Sequence, residues 1–132
     1  MPTSNVPYAE FYNQSIDQPD VFWTEQAKLI DWFTPFTRVC NSDNPPFVSW
    51  FEGGKTNLCH NAVDRHLAAR GDQAALISVS SETGVEHIYS FKELHAEVQR
   101  MAASLKAMGV VQGDRVLIYM PMIAEAAFAM LA

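Results

Sequence analysis

Four adjacent residues, Gly53-Gly54-Lys55-Thr56, carry the first chemistry to weigh. Glycines ahead of a lysine and a hydroxyl can cradle a phosphate with backbone N–H groups while the ammonium neutralises its charge, as in a nucleotide-binding P-loop. That pattern requires a glycine five positions before Gly54, where this chain has Ser49. Trp50, Phe51 and Glu52 would fill such a loop with bulk and a negative charge facing the phosphates. No later segment that reads as a strand ends in the acid a magnesium ion needs. A glycine turn leading into a capped helix accounts for these residues better.

Cys40, Cys59, His60 and His66 are candidate metal ligands by type. Cys59 and His66 can share a helix face, but neither a CxxC nor an HxxxH spacing is present, and a closed zinc site needs four converging ligands. His87 and His95 read as strand and helix-surface residues. Ser90 and Ser104 lie outside any nucleophile-elbow pattern. Asn57, Asn61, Asp64 and Arg65 form a polar stripe at three- to four-residue spacing, which reads as a helix cap plus a surface hydrogen-bond network. The residues by themselves therefore assign no catalytic, cofactor-binding or metal-binding position.

The elements that would position these groups fall into two halves. Up to Glu52 there are two basic residues, Lys28 and Arg38, against seven acidic ones; from Gly53 onward there are seven against eight. The first half also holds all three Trp and eleven of the fifteen aromatic residues. Tyr8, Phe11, Tyr12 and Ile16 follow a helical spacing. A second helix is expected from Pro19, a proline fit for the first helical position, to just before Pro35, because the residue preceding a proline is pushed out of the helical region. Phe47–Phe51 reads as extended. The aromatics of this half read as packing against another surface rather than as a ligand cage.

In the second half, Asn57 is expected to cap a helix through Arg70, closed by a left-handed Gly71. Ala74–Val79 and Glu86–Tyr89 read as a hairpin across Glu82-Thr83-Gly84. Ser90-Phe91-Lys92-Glu93 is a capping box. The helix after it carries Phe91, Leu94, Val98, Met101 and Leu105 on one face and ends at Gly109. Arg115–Met120 reads as a buried strand, and Pro121 as the first residue of a last helix running to Ala132. That helix is apolar on almost every side, with Glu125 its only charge, so it is expected to be covered on several faces. With no capping glycine or further strand behind it, the chain reads as an incomplete piece.

Composition sets the outer bounds. The 132 residues are 48% hydrophobic and 18% charged, enough to bury a core, and the formal net charge is -6. Nucleic-acid binding and attachment to an anionic membrane both call for a basic face, so that balance argues against either. Two cysteines suit a reducing compartment, no apolar run reaches the roughly 20 residues of a membrane span, and the N-terminus lacks the pattern of a secretory signal. A cytoplasmic location is expected.

Three stretches resemble one family. WFEGGKTNLCHNAVDRHLAARGDQAALI (50–77) and GVVQGDRVLIYMPMIAEAAFAMLA (109–132) are similar to the acetyl-CoA and propionyl-CoA synthetases, and YAEFYNQSIDQPDVFWTEQAKLIDW (8–32) resembles that family's N-terminal helical extension. NLCHNAVDRH (57–66), SSET (80–83) and MIAEA (122–126) look closer to propionate–CoA than to acetate–CoA ligases, which tend to carry tyrosine at the position of His60 and proline at that of Ala124.

The resemblance implies an adenylate-forming enzyme. A short carboxylate is joined to ATP with release of pyrophosphate, and the thiol of coenzyme A then displaces AMP. It implies ATP, Mg2+ and coenzyme A as cofactors of the whole enzyme, with none bound by this chain alone. The family's phosphate loop, ribose-binding aspartate, carboxylate pocket, catalytic lysine and coenzyme A arginines all match positions further along than Ala132. No family site residue therefore carries over. The expected organisation is an α/β chain with an N-terminal helical, aromatic-rich extension over 1–53, followed over 54–132 by the start of a wound AMP-binding domain in the order helix–β–β–α–β–α. The piece is expected to be inactive alone and to self-associate through 110–132. The alternative is a self-sufficient, non-catalytic interaction or dimerisation module.

Overall fold

The computed structural model describes residues 7–132, which fall into two compact units, one reaching Asn57 and the other starting at Leu58. In the first unit, helices α1 (Tyr8–Asp17) and α2 (Pro19–Ala27) are followed by an antiparallel hairpin of β1 (Arg38–Asn44) and β2 (Phe47–Glu52). Pro19 opens α2 as its sequence suggests, with Asp20 in the first turn, where a carboxylate meets the positive end of the helix dipole. The helix ends at Ala27, well short of Pro35. The Trp32 indole N–H donates to the Ala27 carbonyl at 2.9 Å, and Thr34 then pairs with Lys55 in an isolated bridge. The last turn tightens as the Lys28, Leu29 and Ile30 N–H groups donate three residues back to Glu25, Gln26 and Ala27, and the indole shares the Ala27 carbonyl.

Strand β1 is polar (RVCNSDN), and nothing in its own residues announces it; its partner β2 makes it a strand. The two join through Pro45-Pro46, whose peptide bond is cis. Among the described residues of this unit, Phe22, Ala27 and Val39 are the buried apolar ones. Beside them an aromatic cluster places the Trp32, Phe36 and Phe51 rings 5.1 to 5.4 Å apart. That spacing is the edge-to-face and tilted packing that aromatic quadrupoles favour.

The second unit begins with a departure from the expected helix over 57–70. The segment breaks into α3 (Leu58–Ala62), a 3-10 turn (Asp64–His66) and α4 (Leu67–Arg70). Val63, at the break, leaves helical geometry with φ -127° and is the most deeply buried side chain, 1% exposed. The break turns this one apolar group into the core. Gly71 is not left-handed either: its φ is -53°. Its lack of a side chain matters for space, since a Cβ there would lie 2.6 Å from the Leu67 carbonyl oxygen and 2.8 Å from Lys92 Cε.

Strands β3 (Ala74–Val79) and β4 (Glu86–Ser90) form the expected hairpin, and α5 (Phe91–Ala107) starts at the expected capping box. The Ser90 hydroxyl accepts from the Glu93 N–H, and the Glu93 carboxylate accepts from the Ser90 N–H at 2.8 Å. Just past α5, Gly109 adopts φ +88°. Phe91, Leu94 and Val98 of α5 form the core with Val63, Ala124 and Phe128.

Two expectations fail near the end. Arg115–Met120 joins no sheet among the described residues, and Leu117 and Tyr119 are 89% and 95% exposed. An extended segment becomes a strand only when a neighbour completes its ladder. Nor does Pro121 open the last helix. The Ile123 N–H closes a tight turn onto the Pro121 carbonyl at 2.9 Å, and α6 (Ala124–Leu131) starts after it. Among the described residues the chain is a mixture of helices with two small antiparallel sheets, an α/β composition as expected.

Candidate functional site

The glycine–lysine segment points its hydrogen-bond donors into its own fold. The Gly54 N–H donates to the Phe51 carbonyl at 3.0 Å, the Lys55 N–H to the Thr34 carbonyl at 2.9 Å, and the Thr56 hydroxyl to the Asp31 carbonyl at 2.7 Å. A Cβ at Gly54 would meet the Trp32 ring at 2.7 Å, so this glycine admits an indole rather than a phosphate. Backbone donors already satisfied in this way form no anion cradle.

Cys40 lies on β1 and Cys59 on α3, both as free thiols. Cys59 Sγ donates to Asp64 Oδ1 at 4.0 Å, and burial, with a smaller effect from the Asp64 charge, pushes this thiol's pKa up. A thiol held protonated is a poor nucleophile and a poor metal ligand. His60 lies on α3; His66 sits in the 3-10 turn, its ring 5.4 Å from that of Phe91. His87 stacks on Tyr89 at 4.1 Å, and His95 projects from α5 toward Asp64 at 3.7 Å. Among the described residues no group of three His, Cys, Asp or Glu could hold a metal ion.

The polar stripe is partly a network of its own: Arg65 Nη1 donates to Asn61 Oδ1 at 2.7 Å, and Asp64 faces Cys59 and His95. Ser90 is occupied in its cap, and the Ser104 hydroxyl donates to the Arg100 carbonyl at 3.0 Å. These contacts hold backbone and helix faces in place, and none lines up a nucleophile with a base.

What the second unit does present is an apolar groove of about 470 Å³ between β3 and α6. Leu76, Ile77 and Val79 form one wall, Ala126, Ala127 and Met130 the other, with Ile118 and Met122 beside them; no charged side chain lines it. The apolar residues of β3 and the small residues of α6 line the groove. The sequence marks α6 as apolar on almost every side but does not reveal the β3 wall, because which strand faces a helix is a tertiary fact. The groove can cover apolar surface, and it holds no group that could transfer a proton or a phosphoryl group.

Residues 8–62 match the family model described as the acetyl-coenzyme A synthetase N-terminus, and residues 63–132 match that of the AMP-binding enzymes. The chain is 54% identical over 125 residues to the propionate–CoA ligase of Escherichia coli (strain K12), covering 95% of this chain and 20% of that protein. It is 48% identical over 128 residues to the acetyl-coenzyme A synthetase of Beijerinckia indica subsp. indica, again over 95% of this chain and 20% of that protein. Among solved structures, the acetoacetyl-CoA synthetase from Streptomyces lividans superposes with a TM-score of 0.85 at 33% identity, over 96% of this chain and 20% of that one. The chain thus spans about a fifth of the length of the curated relatives it matches.

Proposed function

The chain belongs to the AMP-binding enzyme family, and from that premise we propose that it forms the N-terminal part of a ligase joining a short carboxylate, propionate or acetate, to coenzyme A at the expense of ATP. The observation that carries this reading is the pair of family matches in series, 8–62 and 63–132, together with 54% identity to a propionate–CoA ligase. In the proposed reaction the carboxylate attacks the α-phosphorus of ATP, pyrophosphate leaves, and the thiol of coenzyme A then displaces AMP from the acyl-adenylate. Magnesium would neutralise charge on the phosphates during the first step.

The residues present here do not fit a phosphate cradle or a magnesium site. The Gly54 and Lys55 backbone N–H groups and the Thr56 hydroxyl are used internally, and no acid cluster among the described residues could take a metal. No step is therefore assigned to a side chain of this segment. Its part is structural: an extension over 1–53 and, from 54 onward, a core that holds α6 and the 115–120 segment ready for neighbouring strands. A cytoplasmic location belongs to the same reading; no helix among the described residues is long and apolar enough to cross a membrane.

The test is AMP release. A protein carrying this chain within a relative-length ligase should release AMP from ATP when given propionate or acetate, magnesium and coenzyme A. The 132 residues alone should release none above background. Carboxylate-dependent pyrophosphate formation by the isolated chain would sink the division of labour. A relative-length protein that released no AMP with either acid would sink the ligase.

A further inference from the structure

We propose that His95 is a proton-operated clasp, its Nε2 changing partner from Gln99 on its own helix to Asp64 on the 3-10 turn when the imidazole is protonated. Two distances carry this. His95 Nε2 lies 3.0 Å from Gln99 Nε2 and 3.7 Å from Asp64 Oδ1. An amide NH2 can only donate, so at 3.0 Å the imidazole nitrogen facing it is the bare, accepting one. A bare nitrogen has nothing to offer a carboxylate, and 3.7 Å is too long for a hydrogen bond. Once protonated, Nε2 becomes a donor. The Gln99 NH2 can then no longer serve it, while the Asp64 carboxylate, less than an ångström beyond hydrogen-bond range, becomes the charge-assisted acceptor. One proton thereby replaces a bond within α5 by a bond from α5 to the 3-10 turn.

The surroundings suit a switch of this kind. His95 and Asp64 side chains are 28% and 39% exposed, so protons reach them from solvent. On the same side of α5, Lys92 is held by Asp72 at 2.8 Å, and Arg70 lies 5.1 Å over the Phe91 ring, with His66 against that ring from the 3-10 turn. Cys59 from α3 meets the same Asp64 oxygen. Tyr89 of β4 and Glu125 of α6 gather with Glu97 and Arg100 around a separate depression; Glu97 and His95 are about 200° apart around the helix. Histidine is the side chain built to gain and lose a proton under mild conditions, so acidification that protonates this ring closes the clasp.

Ring-nitrogen NMR on the full chain with 15N-labelled histidine tests this, the His95 signals being those lost in His95→Gln. At alkaline pH the neutral ring should carry its proton on Nδ1, and Gln99→Leu should move it toward Nε2. In acid, the Val63 and His66 amides should exchange about twofold to fivefold more slowly in the wild type than in Asp64→Asn, a gap that closes at alkaline pH. A neutral ring protonated on Nε2 in the wild type, or an exchange gap independent of pH, would overturn the clasp.

Discussion

Ser90 and Glu93 show how much a single pair of side chains can fix. The Ser90 N–H and hydroxyl both donate to Glu93, at 2.8 Å each, and hold its carboxyl below its ordinary 4.5, the backbone N–H having the larger effect. A depressed carboxylate contributes stability that is present above its unfolded value and lost as pH falls through the folded one. Losing the N-cap hydroxyl, Ser90→Ala should cost about 1 kcal/mol at neutral pH in urea unfolding, and the gap to wild type should narrow as pH falls and the Glu93 carboxylate takes up its proton. Gly71 gives a second prediction of different origin. Its φ of -53° suits any residue, but a Cβ would press on the Leu67 carbonyl and the Lys92 chain. Gly71→Ala should destabilise by about 1–3 kcal/mol through overpacking, and it should loosen the Lys92–Asp72 pair, visible as a changed Lys92 side-chain NMR shift.

Elements that carried their own instructions formed as their sequences read. The capping box began α5, Gly109 followed its end, and the spacing of Phe91, Leu94 and Val98 set its buried face. Elements that depended on packing with other segments did not: β2 made β1 a strand, and the 57–70 helix breaks where Val63 enters the core. Two substitutions separate the cases. Phe128, 5% exposed and 5.3 Å from the Tyr89 ring, anchors α6 to the core. Phe128→Ala should cost about 3 kcal/mol. Leu117, 89% exposed in the unladdered segment, touches little. Leu117→Lys should change the chain's urea midpoint by no more than about 0.5 kcal/mol equivalent. A cost near that of Phe128→Ala would mean the 115–120 segment is packed after all.

At the scale of the molecule, the uncharged groove between β3 and α6 is the feature to test. Met122 is 98% and Met130 68% exposed, beside a groove with no charged lining. Contiguous apolar surface of this kind usually finds a partner surface. The isolated 132-residue chain should therefore self-associate through 110–132, with sedimentation showing a concentration-dependent dimer or larger species. Met122→Glu with Met130→Glu should return it to monomer. Leu131 is a poor choice for such a test, because it packs against the core and its loss would unfold what is being measured. A monomer at high concentration would show that the groove is too shallow to hold a second copy.

The sequence by itself determined what depends on neighbours along the chain: the capping box, the β3–β4 hairpin and the buried stripe of α5. Its resemblances also led to the family, because 8–32, 50–77 and 109–132 keep recognisable local order. The candidate site was less legible. Gly53-Gly54-Lys55-Thr56 shows phosphate-binding residue types, and only the fold turns their donors onto Phe51, Thr34 and Asp31. The Asp64–His95 approach joins residues 31 positions apart, and the groove joins β3 to α6 across some 50 residues. Local hydrogen bonds and helical periodicity act over three or four residues and are written where they act. Contacts between distant segments exist only once the chain has packed, so the tertiary structure alone decided them.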